Sequence, residues 1–195
     1  MKITRKTIEH DEMYLRQISK PVLFDNEEYK KDIKLLEKFC KETECFALAA
    51  VQIGIPKRIL YLKNTSLDIP LNDIVYNESK VLINPIILER KGLTKYWEAC
   101  LSCLDNMGLV SRPYEMLVKY YDVNGVQQVE TFKGFEATVL SHEMDHLDGV
   151  LHIDIAEQVL NMPKEERKIF RKQHPYEIIS KDCDYEDIIK NRRGV

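Results

Sequence analysis

Apolar residues recur at helical spacing over 26–42, where Tyr29, Ile33, Leu36, Phe39 and Cys40 share one face. That period predicts an amphipathic helix, with Asn26 placed to cap it. Further along, the period shortens. Arg58 to Lys63 (RILYLK) and Val81 to Leu88 (VLINPIIL) are apolar runs of strand length. The second run reads as a buried strand, but Pro85 has no N–H to give a sheet ladder, so part of the run is expected towards an edge. Met116 to Asp122 and Val126 to Lys133 flank Val123-Asn124-Gly125. Asn-Gly between two strand-like runs predicts a hairpin. After Gly134 the helical reading returns over Phe135 to Leu147, with Gly149 as its terminator. Residues 11–18 predict a short helix or turn before Pro21, and Pro163 opens a charged helix to about Lys172. The polar stretch 64–81 reads as a long loop.

This order predicts an α+β fold: mostly antiparallel or mixed sheets wrapped around the helix at 135–147, with one N-terminal and one C-terminal helix. Residues 1–175 are expected to form a single domain. Residues 176–195 are polar and are expected to be a mobile or loosely docked tail, with a short helix near Tyr185 to Lys190.

With 44% hydrophobic and 31% charged residues, the 195-residue chain reads as an ordinary globular protein. The net charge of −3 gives no broad basic surface, so direct nucleic-acid binding is not expected. No apolar run approaches the ~20 residues needed to span a bilayer. Met1 to Lys6 lacks an apolar signal core, which makes the cytoplasm of a bacterium, or an organelle, the expected location. The five cysteines are odd in number and irregular in spacing, which suits free thiols or metal ligands better than disulfides.

The chemistry concentrates in Ser141-His142-Glu143-Met144-Asp145-His146-Leu147, an H-E-x-x-H pattern within the helical segment. One turn separates His142 from His146, so both imidazoles leave the same face and can grip one metal ion. Glu143 lies one step round, within reach of a proton on a water held there. A catalytic site of this type needs a third protein ligand and an open position. Glu98-Ala99-Cys100-Leu101-Ser102 offers a thiolate beside an acid, giving Cys100, His142 and His146 as ligands.

Three segments in this order resemble the peptide deformylase family. Cys45-Phe46-Ala47-Leu48-Ala49-Ala50-Val51-Gln52 is similar to its G-Φ-G-L-A-A-x-Q, where Φ is apolar. Glu98-Ala99-Cys100-Leu101-Ser102 is similar to E-G-C-L-S, and Ser141 to Leu147 to Q-H-E-x-D-H-L. Val110, Arg112, the Asn-Gly hairpin and Gly134 also have counterparts, and the likeness covers roughly residues 5–172. The resemblance implies hydrolysis of the N-terminal formyl group from formyl-methionine of nascent polypeptides, releasing formate. It implies one divalent ion on Cys100, His142 and His146: Fe²⁺ in the cell, with Zn²⁺ or Ni²⁺ as substitutes. Glu143 would take a proton from the attacking water and pass it to the leaving amine. Gln52 and the Leu101 N–H would donate to the oxyanion. Glu98 and Arg112 would form an ion pair fixing the Cys100 loop, and Asp145 would orient a ligand histidine. The substrate backbone would pair along Ala47 and Ala99, and Phe46, Leu101, Phe135 and Thr138 would wall the methionine pocket. The expected partners are formylated nascent peptides, met at the ribosome, with the chain acting as a monomer and away from membranes.

The chain departs from the pattern at Cys45, Ala47 and Ala99, where the family has glycine, and at Ser141, where it has glutamine. Cys103-Leu104-Asp105 also replaces a segment that is usually apolar and followed by proline. A methyl at Ala47 or Ala99 narrows the cleft, and would carry strain if φ there were positive. Two rival readings follow. One is a weak or inactive relative that binds peptide N-termini. The other is a structural Cys₂His₂ domain with Cys103 as fourth ligand.

Overall fold

The computed structural model describes residues 4–63 and 79–188. Its elements, in chain order, are α1 (Glu12–Leu15), α2 (Glu28–Thr43), β1 (Ala47–Ala49), a 3₁₀ turn (Ala50–Ile53), β2 (Ile59–Lys63) and β3 (Ser79–Ala99). Then come β4 (Asn106–Arg112), β5 (Glu115–Tyr121), β6 (Gln127–Lys133), α3 (Gly134–Leu147), α4 (His152–Ile155), β7 (Gln158–Asn161), α5 (Lys164–Gln173) and β8 (Glu177–Asp184). The expected α+β class holds, with antiparallel ladders throughout the named strands.

β2 shows why its residues are nearly all apolar. Leu60 and Leu62 enter one core, with Met116, Val118 and Phe132 of the hairpin and Ala137, Leu140, Met144 and Leu147 of α3. Ile59 and Tyr61 point the other way, into a core with Ile33, Leu36 and Cys40 of α2. The strand alternates with period two and is buried on both faces. The sheet therefore has α3 on one side and α2 on the other, and α3 is wrapped by β1, β2, β5 and β6.

β3 organises the sheet. It pairs with β2 through Ser79–Ile83, with β5 between Ile83 and Lys91, with β8 between Lys91 and Lys95, and with β4 through Thr94–Ala99. The ladder to β2 ends at Ile83 and the pairing with β8 starts at Lys91, so the part of the run around Pro85 is paired on one side only, the local edge its proline suggested. The register slips between Ile83 and Ile86, so the proline sits where the ladder is already irregular and no N–H is needed. Asn84 takes a positive φ of 51° there. Its amide clamps the Val22 backbone, accepting from the N–H at 2.8 Å and donating to the carbonyl at 2.9 Å.

The N-cap of α2 is Glu27 rather than the expected Asn26, and Asn26, one residue further out, accepts the Glu28 N–H at 2.9 Å. Beyond α3, Gly149 takes φ +73°, and a Cβ there would stand 2.2 Å from the Arg16 carbonyl oxygen, so only glycine fits. The residues after Pro175 differ from the loose tail expected. Tyr176 is buried, and Glu177–Asp184 forms β8 on the flank of β3. A helical turn follows at 185–188. Most of the loop assigned to 64–81 lies outside the described residues, and 79–81 already belong to β3. Among the described residues, no helix is long and apolar enough to cross a membrane.

Candidate active site

α3 carries His142, Glu143 and His146 into the interior because its flanking positions Ala137, Leu140, Met144 and Leu147 bury it in the main core. β3 ends at Ala99, which delivers Cys100 to the same place. The Cys100 Sγ lies 3.2 Å from His146 Nε2. The sulfur and the ring nitrogens of His142 and His146 all fall within 4.8 Å of one another. All three side chains are buried.

A chain of polar contacts fixes this trio. Arg112, on β4, donates to both Glu98 oxygens, from Nε at 2.8 Å and from Nη2 at 3.0 Å. Glu98 Oε2 in turn accepts from His142 Nδ1 at 2.8 Å. That bond sets the tautomer and leaves Nε2 as the free lone pair. Arg112 also reaches Ser141 Oγ at 3.3 Å and the Asp145 carboxylate. Asp145 therefore steadies Arg112 rather than a ligand histidine, and the pair with Glu98 holds His142 as well as the Cys100 segment.

Electrostatics agree with this wiring. Burial opposes the charge on Glu98, but the Arg112 guanidinium and the bonds from Arg112 and His142 outweigh it and hold the carboxyl well below its usual range. The Cys100 thiol is pulled well below its ordinary value by a hydrogen bond from Cys103, against burial and with help from the histidines. Cys103 is pushed up correspondingly. Burial raises the Glu143 carboxyl, partly offset by His142 and His146. Its Oε2 has no hydrogen-bond partner in the protein.

These residues fit a divalent transition ion. A thiolate and two imidazoles are the right donors, one imidazole is locked by a carboxylate, and an unpartnered carboxylate oxygen stands alongside. Cys103 does not extend this set into a Cys₂His₂ cage. Its sulfur groups with Cys100 and His152, not with His142 and His146.

Gln52 is buried, so it is no surface glutamine. Its Oε1 accepts from the Ala49 N–H at 2.9 Å, and its Nε2 lies 3.1 Å from Ser102 Oγ and 3.4 Å from Cys100 Sγ. The Leu101 N–H donates to no acceptor among the described residues. Gln52, Cys100, Leu101, His142 and Glu143 line a cleft of about 430 Å³, together with the other five residues expected to hold substrate: Phe46, Ala47, Ala99, Phe135 and Thr138. Positive φ among the described non-glycine residues occurs at Glu44, Asn84 and Leu104, so Cys45, Ala47 and Ala99 carry no left-handed strain. Thr138 is tied by its hydroxyl to Thr94 and Tyr176, at 3.2 Å each.

Several residues around the site gave no sequence signal. Tyr96 packs edge-on against Phe135 and Tyr176, with centroids 5.5 and 5.9 Å away, and closes one wall. Lys164 and Arg171 reach the cleft from α5. They lie seven residues apart, two helical turns on one face, a spacing that is readable only once α5 is known to pack there. His152 lies behind His142, with ring centroids 5.4 Å apart.

A buried trio able to hold a metal ion, beside a buried carboxylate with an unpartnered oxygen and open to a cleft, is the arrangement of a metal-dependent hydrolase. Comparison with known proteins narrows this. The sequence matches the family described as Polypeptide deformylase over residues 4–161. It is 40% identical over 141 residues to the peptide deformylase of Pelagibacter ubique (strain HTCC1062), covering 72% of this chain and 78% of that one. The fold is similar to a Met-Ala-Ser-bound class I type b peptide deformylase from Acinetobacter baumannii, with a TM-score of 0.69 and 27% identity, covering 79% of this chain and 98% of that one. It is equally similar to a peptide deformylase from Synechococcus elongatus in complex with actinonin, with a TM-score of 0.68 and 29% identity, covering 88% and 85%. The chain belongs to the polypeptide deformylase family, and it is a hydrolase of the formyl amide at the N-terminus of new polypeptides.

Proposed function

We propose that Cys100, His142 and His146 hold the catalytic ion and that Glu143 moves the protons of formyl-methionine hydrolysis. The observation that carries this reading is the position of Glu143, buried on the cleft wall beside the three ligands with one oxygen unpartnered. When bound, the ion supplies Lewis acidity towards the formyl oxygen and towards the attacking water. Fe²⁺ is the native ion in this proposal, and Ni²⁺ or Zn²⁺ can take its place, since Cys-His-His ligation accepts all three.

Glu143 accepts a proton from the water as it attacks the formyl carbon and returns it to the departing amine. The Leu101 N–H and one N–H of Gln52 donate to the oxygen that gains charge. Gln52 is pre-set for this because Ala49 and Ser102 fix both ends of its amide. Glu98 and Arg112 do not touch substrate; they keep His142 in its tautomer. Phe46, Leu101, Phe135 and Thr138 surround the methionine side chain. β1 lies at the end of the sheet path, with one edge on β2 and the other available to pair with the peptide at Ala47, opposite Ala99. The substrate is a formylated nascent chain met as it leaves the ribosome, handled by a monomer in the cytoplasm.

The test is formate release from a formyl-methionyl peptide by protein loaded with Fe²⁺ or Ni²⁺ in the absence of oxygen. Turnover is expected, and Glu143→Ala should retain the ion while losing turnover. A Glu143→Ala protein that still releases formate at the parental rate refutes the proton-transfer role.

A further inference from the structure

His152 opens α4 and is 1% exposed, yet neither of its ring nitrogens has a hydrogen-bond partner. Burying an imidazole with both nitrogens unpaired is unfavourable, and each such group calls for an explanation. The surroundings supply one. Cys103 Sγ, Cys100 Sγ and a His152 ring nitrogen lie within 4.8 Å of one another. Cys103 is fully buried, and neither it nor His152 lines the cleft.

The chain holds both groups there deliberately. A turn bonds the Cys103 N–H back to the Cys100 carbonyl at 3.2 Å, and Asn106 Nδ2 donates to the Cys103 carbonyl at 3.0 Å. The next residue, Leu104, takes a positive φ of 55°, and Arg167 Nη1 donates to its carbonyl at 2.6 Å. On the other side, Gly108 of β4 lets α4 approach closely. A Cβ there would lie 2.7 Å from Ala156 Cβ and 3.3 Å from His152 Cδ2. Leu15 and Leu151 pack around the two cysteines and keep the pocket apolar.

We propose that Cys100, Cys103 and His152 form a second metal-binding set that takes one thiophilic divalent ion such as Zn²⁺, with the Cys100 sulfur bridging it to the ion held by His142 and His146. Two thiolates and an imidazole are the donors such an ion prefers, and three protein ligands suffice to hold it. The proposal goes beyond the deformylase reading and can be judged apart from it, because counting ions requires no turnover.

The experiment loads the full chain with Zn²⁺, removes loose metal by desalting and counts ions per chain. The expected result is two, falling to one in both Cys103→Ala and His152→Phe, with circular dichroism checking that each variant keeps its fold. A ¹¹³Cd-substituted parental protein gives an independent reading that needs no variant: two resonances, scalar-coupled through the shared sulfur. One ion in the parental chain overturns the proposal, even if Cys103→Ala then alters that ion's ligands. Two ions that persist in both variants also overturn it, as do two uncoupled ¹¹³Cd resonances.

Discussion

Arg112→Met tests whether the buried ion pair with Glu98 is what fixes the ligand geometry. Arg112 is 3% exposed and Glu98 5%. Their two N–H···O bonds, at 2.8 and 3.0 Å, are charge-assisted and bidentate. Methionine fills much of the same volume but leaves the Glu98 carboxylate with the His142 Nδ1 donor alone among the described side-chain contacts. Breaking a buried pair from one side costs about 3–5 kcal/mol, because an uncompensated charge stays inside. His142 still donates to one oxygen, and Asp145 is exposed enough to rehydrate. The expected loss is therefore towards the lower end, roughly 3 kcal/mol. That is a large share of the ~5–15 kcal/mol that stabilises a typical domain. Urea unfolding of the metal-free protein measures it. Adding Glu98→Gln removes the stranded charge, so the double variant should recover at least half of the loss. Metal competition with a chelator should show Zn²⁺ affinity down ~10–100-fold in Arg112→Met, the usual effect of losing an outer partner of a ligand histidine. A stability change under about 1 kcal/mol, or a double variant less stable than Arg112→Met, would refute this account.

Three further outcomes are expected. Gln52→Ala should lower kcat ~10²–10³-fold while metal content stays at the parental value; unchanged kcat would remove Gln52 from the oxyanion site. Burial raises the Glu136 carboxyl to about 7, above its unfolded value. The native state then holds a proton that the unfolded chain has released, so this group lowers stability as pH rises from below 5 to above 7. Glu136→Gln should thus raise stability at pH 8 by about 1 kcal/mol, discounted for the partial exposure of the group, and by nothing at pH 4. A gain independent of pH would contradict that cause. Asn84→Ala should cost roughly 2–3 kcal/mol in thermal or chemical unfolding, from two lost bonds to Val22 and alanine at positive φ. Asn84→Gly relieves the strain alone and should be the milder change; equal losses would mean that φ does not matter.

Much of this arrangement was readable from local spacing. His142 and His146 are one turn apart, and Asn26, the Asn-Gly hairpin and Gly149 mark their elements through chemistry that acts within a few residues. The Cys100 segment was legible because its neighbours form a recognisable short motif. β3 was half legible. Its apolar start is clear, but the polar stretch Glu89-Arg90-Lys91 hides the fact that the strand continues to Ala99. Those residues can stay polar because β5 and β8 pair with their backbone whatever the side chains are. β8 was missed for a related reason: its side chains remain largely exposed, so hydrogen bonding to β3 rather than burial of a periodic face defines it. His152 could not be found, since its meeting with Cys103 depends on α4 settling on Gly108, a contact between segments far apart in the chain.

β3 meets partners from both directions along the chain, and its last partner, β8, lies about ninety residues beyond its own centre. Contacts over such separations close late and slow folding, because large loops must form before the ladder rewards them. The same wiring makes partial opening difficult. A segment clamped by four strands has no independent way to detach, so its amides should exchange with deuterium only through global unfolding. Glu98 and Cys100 sit at the end of that segment. The proposed ligand Cys100 thus follows directly on the segment expected to exchange slowest, while α5, which brings Lys164 and Arg171 to the cleft, lies outside that clamp.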